Sequence, residues 1–165
     1  MRIKTGLLWV FILIILSPFL AYWVSQAIPG YDGFVVTSGS MEPEIQTGSL
    51  LFTRPLLAEK ITVGDTITFQ EDGGYTTHKV VEKNISGTEI SFVTKGVNND
   101  SPDPGTVSPE EITGVKILSI PLLGYVTAWA GTTKGFIGMV VVPAVLIILI
   151  ELKELYIKIK SFEQA

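Results

Sequence analysis

The stretch DTITFQEDGGYTTHKVVEK, residues 65–83, contains two runs rich in β-branched and aromatic residues on either side of the cluster EDGG. Such residues favour extended strands, whereas Gly and Asp favour turns. Two runs of this kind around a turn cluster predict two β-strands. The second run also holds His78, the only histidine among the 165 residues of the chain.

The same pattern continues on both sides of this stretch. Further short runs read GFVV, SLLFT, EISFVTK and GVKILSI, and the clusters NISG and NNDSPDPG separate some of them. No run between residues 30 and 120 has the length and period of a helix. We therefore predict a mainly β fold, a small antiparallel β-barrel or sandwich, flanked by transmembrane helices.

Two uncharged, apolar runs flank the β-rich segment. Residues 7–28 form a run of 22 residues without a charge, and residues 135–150 form one of 16. A helix needs about 20 apolar residues to cross a bilayer. We predict a transmembrane helix over residues 7–28 and a second transmembrane or interfacial helix over residues 135–152. The first run is longer than the apolar core of about 7 to 15 residues found in a cleaved signal peptide, so an anchor is favoured.

The charges next to the first run predict the topology. Arg2 and Lys4 precede it without an acidic residue, and basic residues mark the cytoplasmic side. We therefore place residues 1–6 and the tail 153–165 in the cytoplasm and residues 30–134 outside. We predict that this membrane is the cell membrane, or that of the endoplasmic reticulum in a eukaryote.

Composition excludes several kinds of chemistry. Residues 30–134 contain 7 basic and 13 acidic residues, a balance that argues against a nucleic-acid partner. The absence of cysteine excludes disulfides and thiolate metal sites, and a single histidine excludes a His-rich metal site. We predict no cofactor. The chemistry is left to hydroxyls, carboxylates, lysines and His78.

Ser40, in the stretch TSGSMEP, is a candidate nucleophile. A serine here is also typical of a turn or of the start of a helical turn. In the alternative interpretation Gly39 permits a close backbone approach and Ser40 projects from a strand end into a cleft. A serine hydroxyl is a poor nucleophile at neutral pH, so this interpretation requires a base.

Two neighbouring residues compete for the role of base. Strand alternation puts His78 on one face with Thr76 and Val80, and Lys79 on the other face. Histidine titrates near neutral pH, whereas a lysine base must be kept neutral by burial. A lone histidine on a strand is also often a packing residue. In the stretch NNDSPDPG, Asp100 and Asp103 are candidate orienting carboxylates, although such clusters are typical of loops.

Six short motifs occur in a fixed order: SGSMEP, TGSLLFTR, VGDTITF, THKVV, TKGVNND and GVKILSIPLLGYV. Together, over about residues 35–126, they resemble the successive motifs of type I signal peptidases. The closest resemblance is to the branch found in the endoplasmic reticulum, in archaea and in some Gram-positive bacteria. The resemblance implies a serine endopeptidase that acts on preproteins carrying signal peptides. It also implies shallow pockets for small side chains at the first and third positions before the cut.

The resemblance assigns roles to residues of this chain. Ser40 matches the nucleophile, and Ser38 matches a hydroxyl that assists the oxyanion hole. His78 matches the histidine base of this branch, and Asp103 matches the third catalytic member. Asp100 is an alternative to Asp103.

Val97 departs from the pattern of the family. The family has a Lys-Gly-Asp-Asn-Asn motif, and this chain has Val97 in place of the aspartate. Two alternatives therefore stay open beside the Ser-His peptidase: a Ser-Lys peptidase that uses Lys79, and a non-enzymatic anchored β-domain or inactive paralogue. The sequence also leaves open whether additional subunits are required.

Overall fold

The computed structural model describes residues 30–71 and 73–163, and of the N-terminal apolar run only residues 6, 9, 10, 13 and 17, all helical. Residues 1–5 of the predicted cytoplasmic N-terminus (1–6) and the rest of the predicted transmembrane helix over residues 7–28 lie outside the described residues. Both segments stay predictions.

Six strands form one antiparallel sheet, which confirms the predicted mainly β fold. The strands are β1 (Asp32–Val35), β2 (Leu50–Arg54), β3 (Thr66–Glu71), β4 (Gly74–Ser86), β5 (Glu89–Lys95) and β6 (Ile112–Ile120). Their order in the sheet is β1-β2-β6-β3-β4-β5. Every predicted run corresponds to one of these strands, because alternation and turn residues are local signals.

The sheet is open and single, and in this it differs from the predicted barrel or sandwich. Among the described strands, β1 pairs only with β2 and β5 only with β4. In a flat sheet β1 and β4 would lie about 19 Å apart, four strand spacings of about 4.8 Å. The ring centroids of Phe34 on β1 and Tyr75 on β4 are nevertheless 4.9 Å apart. The sheet therefore curls until its β1 edge faces β4.

The stretch that opens the sequence folds as the hairpin of β3 and β4. Its register pairs Ile67 with His78 and Glu71 with Gly74. Gly73 in the turn has a φ of +78°, a conformation that favours glycine. The hairpin therefore sets the strand position of His78 through local turn chemistry.

One apolar core lies on one face of β3, β4, β5 and β6. Its buried members are Ile61, Ile67, Phe69, Val80, Phe92, Val107 and Val115. Since residues two apart on a strand share a face, His78 lies on the same face as Val80 and next to Ile67. The core therefore ends at the histidine.

The C-terminal part is helical. It consists of α1 (Leu123–Ala130), α2 (Thr133–Phe136), a π-helical segment Ile137–Val141 and α3 (Val142–Glu163). The sheet belongs to a compact unit that ends at Thr127, and the long helix belongs to a second unit.

The helix Thr133–Ser161 has 29 residues and is the only one among the described residues that is long and apolar enough to cross a membrane. At about 1.5 Å per residue it is about 43 Å long, against about 30 Å for a bilayer core. The helix continues past the predicted boundary at residue 152, so the tail predicted from residue 153 is helical through residue 163.

Candidate active site

Ser40 lies in the loop of residues 36–49, which joins β1 to β2. Met41 and Ile45, on this loop, are buried against Leu51 of β2. Backbone turns shape the same segment: the Ile45 N–H donates to the Met41 carbonyl at 2.9 Å. The buried apolar side chains tie the loop to the sheet, and the half-buried Ser40 remains at its surface.

Glu42 braces the loop from within. One oxygen of its carboxylate, Oε1, accepts the Thr47 backbone N–H at 3.1 Å and the Thr47 hydroxyl at 2.8 Å. Both donors favour the charged form, so they lower the pKa of Glu42 below its ordinary value of 4.5. The two ends of the segment 42–47, which follows Ser40 in the loop, are thereby joined.

A second turn, residues 96–99, holds the backbone of the serine from the end of β5. The Asn98 N–H donates to the Ser40 carbonyl at 2.8 Å, and the Asn98 side-chain amide donates to the Gly39 carbonyl at 3.3 Å. A Cβ at Gly96 would lie 2.7 Å from the Ser40 carbonyl oxygen. Only glycine leaves room for this approach. Val97, in the same turn, is exposed.

His78 reaches Ser40 from β4. The imidazole is 8% exposed, and its Nε2 lies 3.0 Å from Ser40 Oγ. The predicted alternation of β4 is confirmed, because His78 and Val80 are buried on one face. Lys79 lies on the other face, where its Nζ is 2.5 Å from Glu44 Oε2.

Asp103 lies on the far side of the imidazole. Its Oδ2 is 2.5 Å from His78 Nδ1. An ionised carboxylate can only accept hydrogen bonds, so Nδ1 carries the proton in this pair. That tautomer leaves the lone pair of Nε2 free to accept the Ser40 hydroxyl. The side chains of Ser40, His78 and Asp103 thus form one chain of hydrogen bonds.

The structure does not bring Asp100 or Lys79 to this chain of hydrogen bonds. Asp100 is exposed, and its backbone carbonyl accepts Lys95 Nζ at 3.2 Å. Lys79 is occupied by Glu44 on the opposite face of β4. The geometry therefore favours Asp103 over Asp100 and His78 over Lys79.

Thr94 completes the surroundings of Asp103, and reasoning from the sequence missed it. Its hydroxyl donates to Asp103 Oδ2 at 2.7 Å, and the Asp103 N–H donates to the Thr94 carbonyl at 2.8 Å. A signal was present: alternation from the apolar Phe92 puts Thr94 on the buried face of β5, and a buried hydroxyl needs a partner.

A cavity of 520 Å³ opens beside the serine. It lies between the β1 edge, the serine loop and the first half of β4. Its lining residues are Phe34, Val35, Val36, Thr37, Ser38, Ser40, Met41, Ile45, Glu71, Tyr75, Thr76, Thr77 and His78. The exposed Ser38 hydroxyl is 3.5 Å from that of Ser40. Within the described part of the chain, no group of three or more His, Asp or Glu side chains is placed to hold a metal ion.

The arrangement has the geometry of an activated nucleophile. A hydroxyl, a base within hydrogen-bond reach and a carboxylate that orients the base are the parts that serine hydrolases require. The hydroxyl also borders a cleft large enough for several residues of a peptide. Acyl transfer from a peptide bond is the reaction class that fits.

Comparison with known proteins finds relatives that are named as signal peptidases. Signal peptidase I W of Bacillus subtilis (strain 168) is 40% identical over 88 residues, which are 52% of this chain and 46% of that protein. The chain thus spans less than half the length of this relative. The signal peptidase complex catalytic subunit SEC11 of Colletotrichum graminicola is 36% identical over 126 residues, 66% of this chain and 73% of that protein. Its namesake in Neurospora crassa is 37% identical over the same shares. No protein-family model matches the chain.

The fungal relatives are covered over 73% of their length at more than one-third identity. Their names agree with the resemblance of the motifs around Ser40 and His78. The chain therefore belongs to the signal peptidase I family of serine endopeptidases.

Proposed function

We propose that this chain is a membrane-bound endopeptidase that removes signal peptides from exported preproteins, with Ser40 as nucleophile, His78 as base and Asp103 as the orienting carboxylate. The observation that carries the proposal is the continuous hydrogen-bond chain from Ser40 Oγ through the imidazole to Asp103. The names of the relatives support the class of substrate.

The chemistry follows the order of these contacts. Ser40 Oγ attacks the carbonyl carbon of the residue before the cut while His78 Nε2 takes the hydroxyl proton. The imidazolium then gives this proton to the leaving amine. In the second step water attacks the acyl-enzyme, His78 takes the proton from water, and that proton returns to Ser40 Oγ as the acyl group leaves. Asp103 keeps the proton on Nδ1 and stabilises the imidazolium through its 2.5 Å contact.

The oxyanion of the tetrahedral intermediate needs donors close to Ser40. Within residues 30–71 and 73–163, the Ser40 backbone N–H has no acceptor, so it is available to a substrate. The Ser38 hydroxyl lies 3.5 Å from Ser40 Oγ, and both serines line the same cavity. We assign these two groups to the oxyanion hole, where loss of one donor typically costs about 10² to 10³ in rate.

The β1 edge is the place for an extended substrate. β1 pairs with β2 on one side only among the described strands, and its residues line the cavity on the other side. An unpaired strand edge offers backbone donors and acceptors to a peptide in extended conformation. A substrate strand laid beside residues 33–38 would bring its scissile carbonyl to Ser40.

The helix Thr133–Ser161 and the predicted anchor over residues 7–28 support a membrane location. The positive charges at Arg2 and Lys4 support an extracytoplasmic position for the peptidase domain. This is the side on which the cleavage site of a translocated signal peptide emerges.

The test uses the full chain reconstituted in lipid with a labelled secretory precursor. Wild type is expected to cut the precursor, and Ser40→Ala and His78→Ala are expected to fall to background. Lys79→Met, which removes the neighbouring cation outside the hydrogen-bond chain, is expected to remain active. Activity of His78→Ala would instead identify a Ser-Lys peptidase. An inactive wild-type chain would favour the non-enzymatic alternative, or a missing subunit of the kind that the names of the fungal relatives describe.

A further inference from the structure

The hydroxyl of Thr94 is a buried polar group for which the mechanism above has no role. Thr94 is 1% exposed and lies opposite Val80 in the register of β4 and β5. Its Oγ1 donates to Asp103 Oδ2 at 2.7 Å. A buried hydroxyl costs free energy unless it forms a hydrogen bond. The bond to Asp103 supplies that partner for the Thr94 hydroxyl.

Both donors that reach Asp103 converge on the same carboxylate oxygen. Oδ2 is 2.5 Å from His78 Nδ1 and 2.7 Å from Thr94 Oγ1. A carboxylate oxygen has two lone pairs and can accept both donors. The terminal torsion of an aspartate is otherwise broad, so the second donor restricts how the carboxylate presents Oδ2 to the imidazole.

Two further carboxylates line a second cavity with Asp103. Glu71 of β3 and Glu111 of the 3₁₀ turn Pro109–Glu111 line a cavity of 220 Å³ together with Thr94 and Asp103. Their oxygens accept other hydroxyls: Glu71 accepts Thr76 at 3.0 Å, and Glu111 accepts the hydroxyl of its own capping box. Of these neighbours, Thr94 is the one whose hydroxyl donates to the Asp103 carboxylate.

We propose that Thr94 is a positioning residue for catalysis. Its hydroxyl holds the Asp103 carboxylate in the orientation that bonds His78 Nδ1, and the imidazole thereby keeps the tautomer that can accept the Ser40 proton. This inference rests on the catalytic roles proposed above. The backbone bond from the Asp103 N–H to the Thr94 carbonyl does not involve the hydroxyl, so the loop keeps this attachment when the side chain changes.

The test compares Thr94→Val, which replaces the hydroxyl by a methyl group, with Thr94→Ser, which keeps the hydroxyl. Full chains are reconstituted in lipid and assayed on one secretory precursor. We expect kcat to fall about 10- to 100-fold in Thr94→Val, the range that loss of one hydrogen bond to a charged group allows. KM should change little, and Thr94→Ser should stay close to wild type.

Thr53→Val is the matched control, because Thr53 is fully buried on β2 and its hydroxyl has no partner among the described residues.

A second readout follows the imidazole itself. His78 is the only histidine of the chain, so ¹⁵N-histidine labelling gives a single ring whose Nδ1–H resonance needs no assignment. We expect this resonance to shift or broaden in Thr94→Val and to stay in place in Thr94→Ser and Thr53→Val.

Wild-type kcat together with an unchanged resonance in Thr94→Val would overturn the inference. If Thr94→Val does not fold, Thr94→Ala replaces it, and equal activity of Thr94→Ala and Thr94→Ser would be equally decisive against a positioning role. Asp103→Ala distinguishes the proposed catalytic roles from the proposed role of Thr94. Full activity of Asp103→Ala would refute the proposed catalytic roles, whereas an inactive Asp103→Ala with a fully active Thr94→Val would refute the role of Thr94 alone.

Discussion

At the scale of single residues, the site depends on which of several similar groups points at the histidine. Asp100 and Asp103 lie three positions apart in one loop and are equivalent by composition. Asp103 is attached to β5 through the Thr94 backbone and side chain, whereas Asp100 is exposed. The hydrogen bonds of the Asp103 carboxylate to Thr94 and His78 distinguish the two aspartates. Substitution of each aspartate tests the difference.

Asp103→Asn is expected to lower kcat by about 10⁴-fold, because an amide in this place favours the wrong imidazole tautomer. Asp100→Asn removes an equivalent charge from the same loop and should leave kcat close to wild type. Both variants are assayed in lipid on one precursor. The reverse order of effects would show that Asp100 moves to the histidine when substrate binds.

Lys83 is a single residue on which part of the fold depends. Its Nζ donates to the carbonyls of Ala58, Glu59 and Ile61 at 3.0, 2.9 and 2.8 Å. All three ammonium donors are therefore used. It also lies 5.7 Å from the centroid of the Phe92 ring.

Lys83→Met keeps the apolar stem and removes the three donors. We expect the free energy of unfolding to fall by about 1.5 to 3 kcal/mol, the range for hydrogen bonds to a charged group. Urea denaturation followed by the fluorescence of the chain measures the change. Lys60 is an exposed lysine of the 3₁₀ turn Ala58–Lys60, whose first two carbonyls bind Lys83. Lys60→Met is the control, and its stability should stay within about 0.5 kcal/mol of wild type. Equal stability of the two variants would contradict a structural role for Lys83.

At the scale of elements, the loop of residues 36–49 is held from three directions. Met41 and Ile45 bury it against β2, the turn of residues 96–99 bonds its backbone, and the Glu42 carboxylate closes it from within. Glu44 adds an ion pair with Lys79 on the outer face. Both partners of this pair are about one-third exposed, so we expect it to contribute only about 0 to 1 kcal/mol.

The Glu42 brace should make stability depend on pH. Thr47 lowers the pKa of Glu42 below 4.5, so its stabilising contribution is fully present above the unfolded value and is lost as pH falls through the lowered pKa. Wild type should therefore have a higher Tm than Glu42→Gln at pH 7, and the difference should shrink below about pH 4.5. Thermal unfolding of both chains from pH 7 to pH 3 checks this. A difference in Tm that does not change with pH would mean that the charge of Glu42 has no part in it.

At the scale of the whole molecule, the β-sheet unit carries the candidate site and the C-terminal helix carries the apolar length that a membrane requires. The sheet and its loops bring Ser40, His78 and Asp103 into one chain of hydrogen bonds. The helix Thr133–Ser161 has the length and composition to cross a membrane. Confinement to a membrane raises the effective concentration of enzyme and substrate without any new contact.

A chain of residues 30–134 alone is therefore expected to cut membrane-inserted precursors about 10²-fold more slowly than the full chain. It should cut a short soluble peptide with the same cleavage site at a similar rate, and this comparison also controls for correct folding. Equal rates on membrane-inserted precursors would show that the apolar segments do not contribute to turnover.

The sequence by itself determined the six strands, the apolar run at the C-terminus and the residue types of the site. Alternation, turn residues and hydropathy are properties of neighbouring residues, so they can be read without knowledge of the fold. The same local logic put His78 and Lys79 on opposite faces of β4, and the structure agrees. The ordered motifs predicted Ser40, His78 and Asp103 as one set, with Asp100 as an alternative to Asp103.

Only the tertiary structure decided how these parts meet. The insertion of β6 between β2 and β3, and the curl that brings Phe34 to Tyr75, depend on pairings between distant segments. The choice of Asp103 over Asp100 and the partner of Thr94 depend on how a loop folds back onto β5. Strand identity is local, whereas strand order and loop direction arise from long-range contacts that the packing of the whole sheet selects.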